Sequence, residues 1–521
     1  MTTARNPILA GCYPDPSICA VGEDFYIVNS SFGYFPGLPI FHSKDLAHWE
    51  QIGNVLDREE QLPLGDCGHS KGIYAPTIRY HDGIFYVITT NVTGGGNFIV
   101  TATDPAGAWS KPYFLGAAAV GIDPSLFFDP DGSCYYVGQR DNSEKVTYDG
   151  DKEIWIQKLD LEKMELVGES QRIWKSALYD SVWSEGPHLY KKDGWYYLLI
   201  AEGGTGPEHA VMIARSRKVN GPYEGYKANP ILTHRHLGSA YPIRYVGHGD
   251  LVETKNGEWY MVLLASRHSE GYSSLGRETF LAKVVWENDW PVVNSGVGRL
   301  TEEVEIKLEP YYFPEAENSY HFFDGQLDVR MVRLRNPKEE MYSLKERAGF
   351  LRLRLSQEAL RERGTPTFVG IRQAHYHYMV ATRMEFLPQQ AQECAGLTIY
   401  QSNEYHLRYE VTKKESIYVL RLLFDGIKGQ TLIAETELSP DTETNKIALV
   451  LKIINHGQRA WFYYHPDKQN EMLLCGNVSV KDLSTEIAGG FTGCTVGMFA
   501  TANGVFSENA ADFAFLNYQQ I

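Results

Sequence analysis

The sequence lacks the features that direct proteins to membranes or to nucleic acids. No apolar run approaches the roughly 20 residues that a bilayer-spanning helix needs, and the first residues contain no apolar segment of secretory type. The 65 Asp and Glu residues outnumber the 49 Lys and Arg residues, which gives a net charge of −16. An acidic surface repels phosphate backbones and anionic lipid. We therefore expect a cytoplasmic protein with no nucleic-acid partner and no membrane partner.

Cysteine is also sparse, and its spacing is uninformative. The seven cysteines form neither a Cys-x-x-Cys pair nor a Cys/His cluster with metal-ligand spacing; they are Cys12, Cys19, Cys67, Cys134, Cys394, Cys475 and Cys494. In a reducing compartment we expect buried thiols rather than disulfides. The sequence offers no ligand set for metal-dependent chemistry.

Aromatic residues and glycine, in contrast, are abundant. Aromatics make up 13% of the chain, which also contains 48 Gly, a composition that suits short strands joined by tight turns. An aromatic strand motif recurs in the first half, around Phe25, Phe85, Tyr135, Tyr196 and Trp259. Intervals of 50 to 63 residues fit four antiparallel strands with their loops, which is one blade of a β-propeller.

A second motif of small or acidic residues precedes each aromatic strand. These motifs start at Asp15, Ala75, Asp123, Glu185 and His248. The first strand of a propeller blade lines the central channel, so we expect the five positions to gather around one axis. The sequence therefore predicts an all-β fold in which residues 1–310 form a five-bladed β-propeller catalytic domain.

The pattern changes after residue 300. Residues 311–315, Tyr-Tyr-Phe-Pro-Glu, are predicted to be a linker. Beyond it, segments 351–355 and 418–422 alternate apolar and polar residues, and segment 447–453 is more continuously apolar. Alternation with one polar face is typical of two packed antiparallel sheets. We predict a β-sandwich over residues 311–521.

Three of the channel positions are carboxylates, namely Asp15, Asp123 and Glu185. Cleavage of a glycosidic bond requires one carboxylic acid to protonate the departing oxygen and a second carboxylate to act as nucleophile or to activate water. A third carboxylate can orient the acid and tune its pKa. A lone Asp-Pro-Ser is more often a turn or cap, but equivalent placement on separate blades favours a site.

These motifs resemble those of glycoside hydrolase family 43, and in particular its two-domain β-xylosidases. The matching segments are Gly-Cys-Tyr-Pro-Asp-Pro-Ser-Ile at 11–18, Phe-Pro-Gly-Leu-Pro-Ile-Phe-His-Ser-Lys-Asp-Leu at 35–46, Gly-Ile-Asp-Pro-Ser-Leu-Phe at 121–127, Trp-Ser-Glu-Gly-Pro-His-Leu-Tyr at 183–190, Ala-Glu-Gly-Gly-Thr-Gly at 201–206, Gly-His-Gly-Asp at 247–250 and Leu-Gly-Arg-Glu-Thr-Phe at 275–280. They occur in order over nearly the whole chain.

The resemblance implies a role for each carboxylate. Asp15 would be the general base that activates water, Glu185 the general acid, and Asp123 the group that orients the acid and adjusts its pKa. The family works by inversion, so Asp15 and Glu185 are expected to lie roughly 6.5–9.5 Å apart, with the water between them.

The resemblance also implies the substrate-binding residues, which are Phe32, Tyr74, Thr205, His248, Arg277 and Phe506. Arg277 would reach the sugar hydroxyls, with a salt bridge to a neighbouring carboxylate as the alternative. Phe32 and Tyr74 would form the wall; relatives often have Trp at the second position. Thr205 lies in a glycine-rich turn that would approach the sugar, with a purely structural role in that turn as the alternative. Phe506 would close the pocket from the sandwich, with ordinary packing as the alternative.

No cofactor is required by this interpretation. Some relatives hold a calcium ion or a water in the channel near His248, and a buried structural histidine is an equal alternative. Enzymes of this type are often dimers or tetramers, so we expect a homo-oligomer.

Three functions remain open at this stage. The first is an exo-acting, inverting β-xylosidase that releases xylose from the non-reducing end of β-1,4-xylo-oligosaccharides. The same scaffold supports an α-L-arabinofuranosidase, or both activities. The third, from a different class, is a carbohydrate-binding protein that has lost catalysis; the presence of all three carboxylates and Arg277 argues against it.

Overall fold

The computed structural model describes residues 1–314, 319–323, 325–442, 444–467 and 469–521. Strands dominate this part of the chain, which contains a single short α-helix, Thr485–Ala488. Among the same residues, no helix is long and apolar enough to cross a bilayer. The short 3-10 helices are Glu59–Gln61, Gly116–Ala118, Arg235–Leu237, Glu339–Met341 and Lys481–Leu483.

The first half of the described chain forms five four-stranded antiparallel sheets. In each sheet, neighbouring strands follow one another along the chain, and in some sheets the fourth strand is short. Sheet one consists of Ser17–Val21, Asp24–Val28, Gly37–Ser43 and Glu50–Leu56; sheet two of Thr77–His81, Ile84–Asn91, Gly96–Ala102 and Tyr113–Phe114. Sheet three consists of Ser125–Phe128, Cys134–Asp141, Lys152–Asp160 and Glu165–Trp174; sheet four of Glu185–Lys192, Trp195–Glu202, Ala210–Ser216 and Glu224–Gly225; sheet five of Ile243–Glu253, Trp259–Arg267, Glu278–Glu287 and Trp290–Val293.

The apolar cores lie between successive sheets and close them into a ring. Separate clusters join sheets one and two, two and three, three and four, and four and five. A further cluster joins sheet five to sheet one, where Val252 and Tyr260 pack with Ile18 and Phe25. Strand Thr2–Arg5 pairs with Glu303–Ile306 beside this junction. The five-bladed propeller predicted from the repeat is confirmed.

Local sequence explains the hairpins at the inner edge of the blades. The turn residues Asp82 and Gly83 both have positive φ, of 48° and 82°, and Asp193 and Gly194 repeat this geometry at 48° and 74°. Two successive left-handed residues define the tight turn that Asp-Gly favours between antiparallel strands. In these two blades the turn therefore fixes the register between the first and second strands.

The second half forms two antiparallel sheets whose facing sides share one large apolar core. In the described residues the larger sheet contains Ser319–His321, Tyr342–Ser343, Leu351–Arg354, His377–Phe386, Ile447–His456, Arg459–Pro466, Met472–Ser479, Ala510–Phe513 and Phe515–Gln520. The smaller contains Thr367–Arg372, Cys394–Tyr400, His406–Lys414, Ile417–Gly426, Gly429–Leu438 and Thr495–Thr501. The predicted antiparallel sandwich is confirmed.

The predicted linker runs between these two halves. The last strand of the first half ends at Ile306, and Tyr311 donates its backbone N–H to Asp45 Oδ2 at 2.8 Å. Glu315, at the end of the predicted linker, lies outside the described residues. A short pairing of Tyr34–Phe35 with Arg333–Leu334 joins the propeller to the chain that leads into the sandwich.

Candidate active site

The inner ends of the blades converge on one pocket. Eleven residues line it: Asp15, Phe32, Tyr74, Ala75, Ile122, Asp123, Glu185, Thr205, His248, Arg277 and Phe491. Every residue that the sequence nominated for the site is among them except Phe506. The cavity of about 70 Å³ has room for the centres of about five waters, a size that favours a single sugar ring over a chain.

Unusual backbone geometry aims several of these side chains at the channel. Asp15, Asp123 and His248 have left-handed φ values of 53°, 54° and 49°. Asp and His tolerate this region better than most residues, although it still costs energy in most contexts. The repeat thus places two aspartates in one conformation on separate blades, which turns both carboxyl groups inward.

Asp15 is held in its ionised form by its neighbours. Its Oδ1 accepts a hydrogen bond from Arg277 Nη1 at 2.7 Å, its Oδ2 accepts one from Ser30 Oγ at 2.5 Å, and His248 Nδ1 lies 3.8 Å from Oδ1. Burial acts to raise the pKa of Asp15, but Arg277, His248 and Ser30 together hold it below its usual value. A buried carboxylate that keeps its charge is suited to the role of base.

Glu185, in contrast to Asp15, is held in its protonated form. Burial, and then the negative charge of Asp15, raise the pKa of Glu185 to about 7, against smaller opposing effects of Arg277 and Lys152. Burial and the proximity of Glu185 and Asp15 also raise the pKa of Asp123 well above its usual value. The site therefore combines an ionised Asp15 with a nearby protonated carboxyl group.

We expect a bell-shaped pH dependence of kcat/KM with its basic limb near pH 7, because Glu185 loses its proton there. The acidic limb should lie below the usual aspartate pKa of about 3.9, since Asp15 is protonated only at lower pH. Lys152, whose ammonium lies 5.2 Å from the Trp183 ring, lowers the pKa of Glu185. Lys152→Met should therefore move the basic limb to higher pH and leave the acidic limb in place.

Lys158→Met is the matched control for this measurement, because Lys158 is exposed on the same strand, Lys152–Asp160, and does not contribute to the pKa of Glu185. A basic limb that responded equally to both substitutions would contradict the assignment of that limb to Glu185.

Arg277 forms the salt bridge that the sequence left as an alternative, while its contact with a sugar stays a prediction. It forms the ion pair with Asp15, and it also lines the pocket between the rings of Phe32 and Phe491, at 5.6 and 5.5 Å from their centroids. Its Nη2 donates to the Phe491 carbonyl at 3.3 Å, while its buried Nε has no partner among the described residues. The Thr205 hydroxyl, also in the pocket, is likewise buried without a described partner. Both groups are placed to bind sugar hydroxyls.

His248 packs against the backbone next to Glu185. A Cβ on Gly186 would lie 2.7 Å from His248 Nε2, so only glycine fits beside the ring. Burial lowers the pKa of His248 more than the nearby Asp15 raises it, so the ring is neutral at pH 7. Among the described residues, no group of three or more His, Cys, Asp or Glu side chains could hold a metal ion. A calcium ion near His248 stays a prediction.

The prediction that Phe506 closes the pocket is wrong. Phe506 lies on a surface turn of the sandwich with 69% of its area exposed, and its carbonyl accepts a hydrogen bond from Gln390 Nε2 at 3.3 Å. The sandwich does supply an aromatic side chain, but that residue is Phe491. Its ring centroid lies 6.2 Å from that of Phe32 and 6.0 Å from that of Tyr74, so three rings form the wall.

A close contact between the two halves of the chain positions Phe491. A Cβ on Gly276 would lie 2.5 Å from the Gly493 nitrogen, and one on Gly493 would lie 2.2 Å from the Leu275 carbonyl oxygen. The two backbones can meet only because both residues are glycine. Phe491 itself donates its N–H to Ser70 Oγ of the propeller at 2.9 Å. An aromatic residue within Gly-Gly-Phe-Thr-Gly at 489–493 was the signal that could have identified it.

Phe491→Ala should lower kcat/KM at least about tenfold, since it removes one of three rings that shape the pocket. The measurement is steady-state hydrolysis of an aryl glycoside. Phe506→Ala, which removes an exposed phenylalanine of the same domain, is the matched control and should retain full activity. A larger loss of kcat/KM for Phe506→Ala than for Phe491→Ala would instead support a role of Phe506 in the pocket.

Comparison with known proteins agrees with this geometry. The family model for glycosyl hydrolases family 43 matches residues 4–291, and that for the beta xylosidase C-terminal Concanavalin A-like domain matches residues 319–519. A xylosidase/arabinosidase of Butyrivibrio fibrisolvens is 53% identical over all of both chains. A non-reducing end alpha-L-arabinofuranosidase of Bacteroides ovatus is 37% identical over 99% of this chain and 95% of the relative.

Comparison with solved structures identifies the same family. The xylan beta-1,4-xylosidase from Bacillus halodurans superposes with a TM-score of 0.93 at 35% identity, covering 99% of this chain and all of that one. Both the sequence relatives and the structure extend over the propeller and the sandwich together. The chain therefore belongs to glycosyl hydrolases family 43 and is a glycosidase.

Proposed function

We propose that this protein is an exo-acting, inverting β-xylosidase that releases xylose from the non-reducing end of β-1,4-xylo-oligosaccharides. The observation that carries the proposal is the pairing of an ionised Asp15 with a protonated Glu185 in a pocket that admits one sugar ring. Relatives named for xylosidase activity support the choice of sugar; they include the Butyrivibrio protein and a beta-xylosidase of Bacillus subtilis, 33% identical over 99% of both chains.

Each residue has a defined task in the proposed reaction. Glu185 gives its proton to the glycosidic oxygen as the bond to the anomeric carbon breaks. Asp15 takes a proton from a water molecule whose oxygen forms the new bond on the opposite face of the ring. Arg277 and Thr205 bind hydroxyls of the sugar, and Asp123 orients Glu185 and adjusts its pKa. One water is consumed, and the two protons end on Asp15 and on the leaving group.

An α-L-arabinofuranosidase is the second candidate. The Bacteroides relative carries that name, and the name of the Butyrivibrio relative includes both activities. A non-catalytic binding protein is disfavoured, because binding alone gives no reason to hold two buried carboxyl groups in opposite protonation states.

Chromatography of the products from xylotriose and from a linear arabinotriose tests the choice. A β-xylosidase should convert xylotriose to xylose and xylobiose and act slowly on the arabinose oligomer. Faster release of arabinose would favour the second candidate. Glu185→Gln, assayed beside the wild type, should be inactive on both; equal activity of that variant would contradict any catalytic role for the pocket.

Cytoplasmic location and homo-oligomeric assembly stay predictions. Cell fractionation tests the first. Sedimentation velocity of the full chain tests the second, with a dimer or tetramer as the expected species.

A further inference from the structure

A second cleft opens on the sandwich, over the outer face of its smaller sheet. In strand His406–Lys414, Leu407, Tyr409 and Val411 point into the apolar core. The residues between them therefore point away from it, and they are charged: Arg408 and Glu410 are 5% and 0% exposed. An outer sheet face normally carries polar side chains in open solvent, so burial of this charged row shows that surrounding loops enclose it.

The charged residues on the floor of this cleft are fixed in position by one another. Arg408 Nε donates to Asp425 Oδ2 at 2.9 Å, and Arg408 Nη1 donates to Glu410 Oε2 at 3.2 Å. Arg421 donates to Glu410 Oε1 from both Nε and Nη2, at 2.9 and 2.7 Å. Side chains locked by such pairs keep their geometry when a ligand arrives, which lowers the entropy that binding costs.

The open part of the face is limited. Towards strands Thr367–Arg372 and Thr495–Thr501 the same face is covered by an apolar cluster that includes Tyr34 of the propeller. Beyond this cluster a cleft of about 330 Å³ remains, and its lining includes Arg361, Glu362, His406, Arg421, Gln430 and Asn503. It shares no residue with the catalytic pocket.

An exposed aromatic residue belongs to the turn that contributes Asn503 to the rim of the cleft. Asn503, on its rim, donates to the Gln392 carbonyl at 2.6 Å, and Phe506 of the same turn is tied to Gln390 through its carbonyl. The Phe506 ring is 69% exposed. On the facing side, Gln430 donates to Asp425 Oδ1 at 3.4 Å. An apolar ring next to fixed amide and guanidinium groups matches a sugar, which has an apolar face and a rim of hydroxyls.

Charge decides between a sugar and an anion. On the floor, Arg408 and Arg421 are balanced by Glu410 and Asp425, and Arg361 stands next to Glu362 on the rim. Burial lowers the pKa of His406 to about 4, so this histidine adds no charge at pH 7. A cleft without net charge gives an anion no advantage, whereas a neutral polyhydroxylated chain can use both its donors and its acceptors.

We infer that this cleft is a second saccharide-binding site, which takes an internal stretch of a neutral, unbranched plant polysaccharide or oligosaccharide and holds it on the sandwich. Phe506 stacks against a sugar ring, while Gln430, Asn503 and Arg421 bind hydroxyls. The catalytic pocket of about 70 Å³ accepts a chain end, and the larger cleft of about 330 Å³ accepts the chain itself.

Native electrophoresis in gels that contain linear xylan tests this inference with the full chain carrying Glu185→Gln, which prevents turnover. Saturating free xylose is added to fill the catalytic pocket. We expect the protein to be retarded relative to a gel without polysaccharide. Adding Phe506→Ala and Gln430→Ala should raise the apparent Kd at least about tenfold. Leu473→Ala, at a 53% exposed position on the other sheet, should leave the retardation unchanged.

The choice of xylan as the probe is the one part of this test that rests on the proposed function. Failure of the second site can therefore be told apart from failure of the proposed function. A linear arabinan gel is run in parallel. Retardation by arabinan alone, lost in the Phe506/Gln430 variant, supports the cleft and counts against the xylosidase. Equal mobility of the parent and that variant in both gels, or retardation abolished by free xylose, overturns the second site. Thermal unfolding of each variant, expected to be unchanged, confirms that these exposed substitutions leave the fold intact.

Discussion

Asp15→Ala should lower kcat by about 10²–10⁴-fold on xylobiose and on a nitrophenyl xyloside alike. Every turnover consumes a water, and the ionised carboxylate of Asp15 is the group in the pocket that can take a proton from it. The quality of the leaving group does not affect that need. The ratio of the two losses is therefore expected to stay near one.

Asp15→Asn is the matched variant, because the amide keeps the shape of the side chain and removes the base. It should lose as much activity as the alanine variant. Both substitutions leave Arg277 without its ion pair, so thermal unfolding is measured alongside. An Asp15 variant that stayed folded and retained activity on the nitrophenyl xyloside would contradict its role as the base.

Glu185→Ala should separate the two substrates. A sugar alcohol is a poor leaving group until it is protonated, so hydrolysis of xylobiose should fall by about 10²–10⁴-fold. A nitrophenolate leaves without a proton, and the loss on the aryl xyloside should be smaller by at least about tenfold. The basic limb near pH 7 should disappear with the aryl substrate, because the group that titrates there is gone.

Asp123→Asn should resemble the acid variant more than the base variant. Glu185 lies close enough to Asp123 to raise the pKa of that carboxyl group. Equal losses on both substrates for Glu185→Ala, together with a spared aryl xyloside for Asp15→Ala, would reverse the assignments of acid and base.

Much of this site was predictable because the propeller is a repeat. The regular interval between Phe25, Phe85 and the later copies of the motif indicates propeller blades. Residues at the same position in each blade must then face one central channel. That is why Asp15, Asp123 and His248, far apart in the chain, share one backbone conformation and line one pocket. The roles assigned to these residues came from a family resemblance and stay to be tested by the variants described above.

The contribution of the sandwich was not predictable in the same way. The loop that reaches the pocket is selected by how the two halves of the chain dock, and that depends on the close approach of Gly276 and Gly493. The local sequence of neither segment predicts its contact with the other. Phe506 and Phe491 both follow glycine within a few residues, so the wrong phenylalanine could be chosen from sequence alone.

The ion pair of Arg277 illustrates a further limit. From sequence, a sugar contact and a salt bridge were alternatives for this residue. The structure shows the salt bridge, in which Nη1 binds Asp15, and it leaves the buried Nε without a hydrogen-bond partner among the described residues, so the sugar contact stays a prediction. The effect of Arg277 on the protonation of Asp15 and Glu185 depends on burial and distance, which become visible only after folding.

Inversion at the anomeric carbon follows directly if Asp15 activates water on the face opposite Glu185. Proton NMR of the wild-type reaction with an aryl β-xyloside, recorded before mutarotation, identifies the first-formed sugar. The anomeric signal of α-xylose should appear first and that of β-xylose only later, as the free sugar equilibrates. Early appearance of β-xylose would contradict direct attack by water and the roles given to both carboxylates.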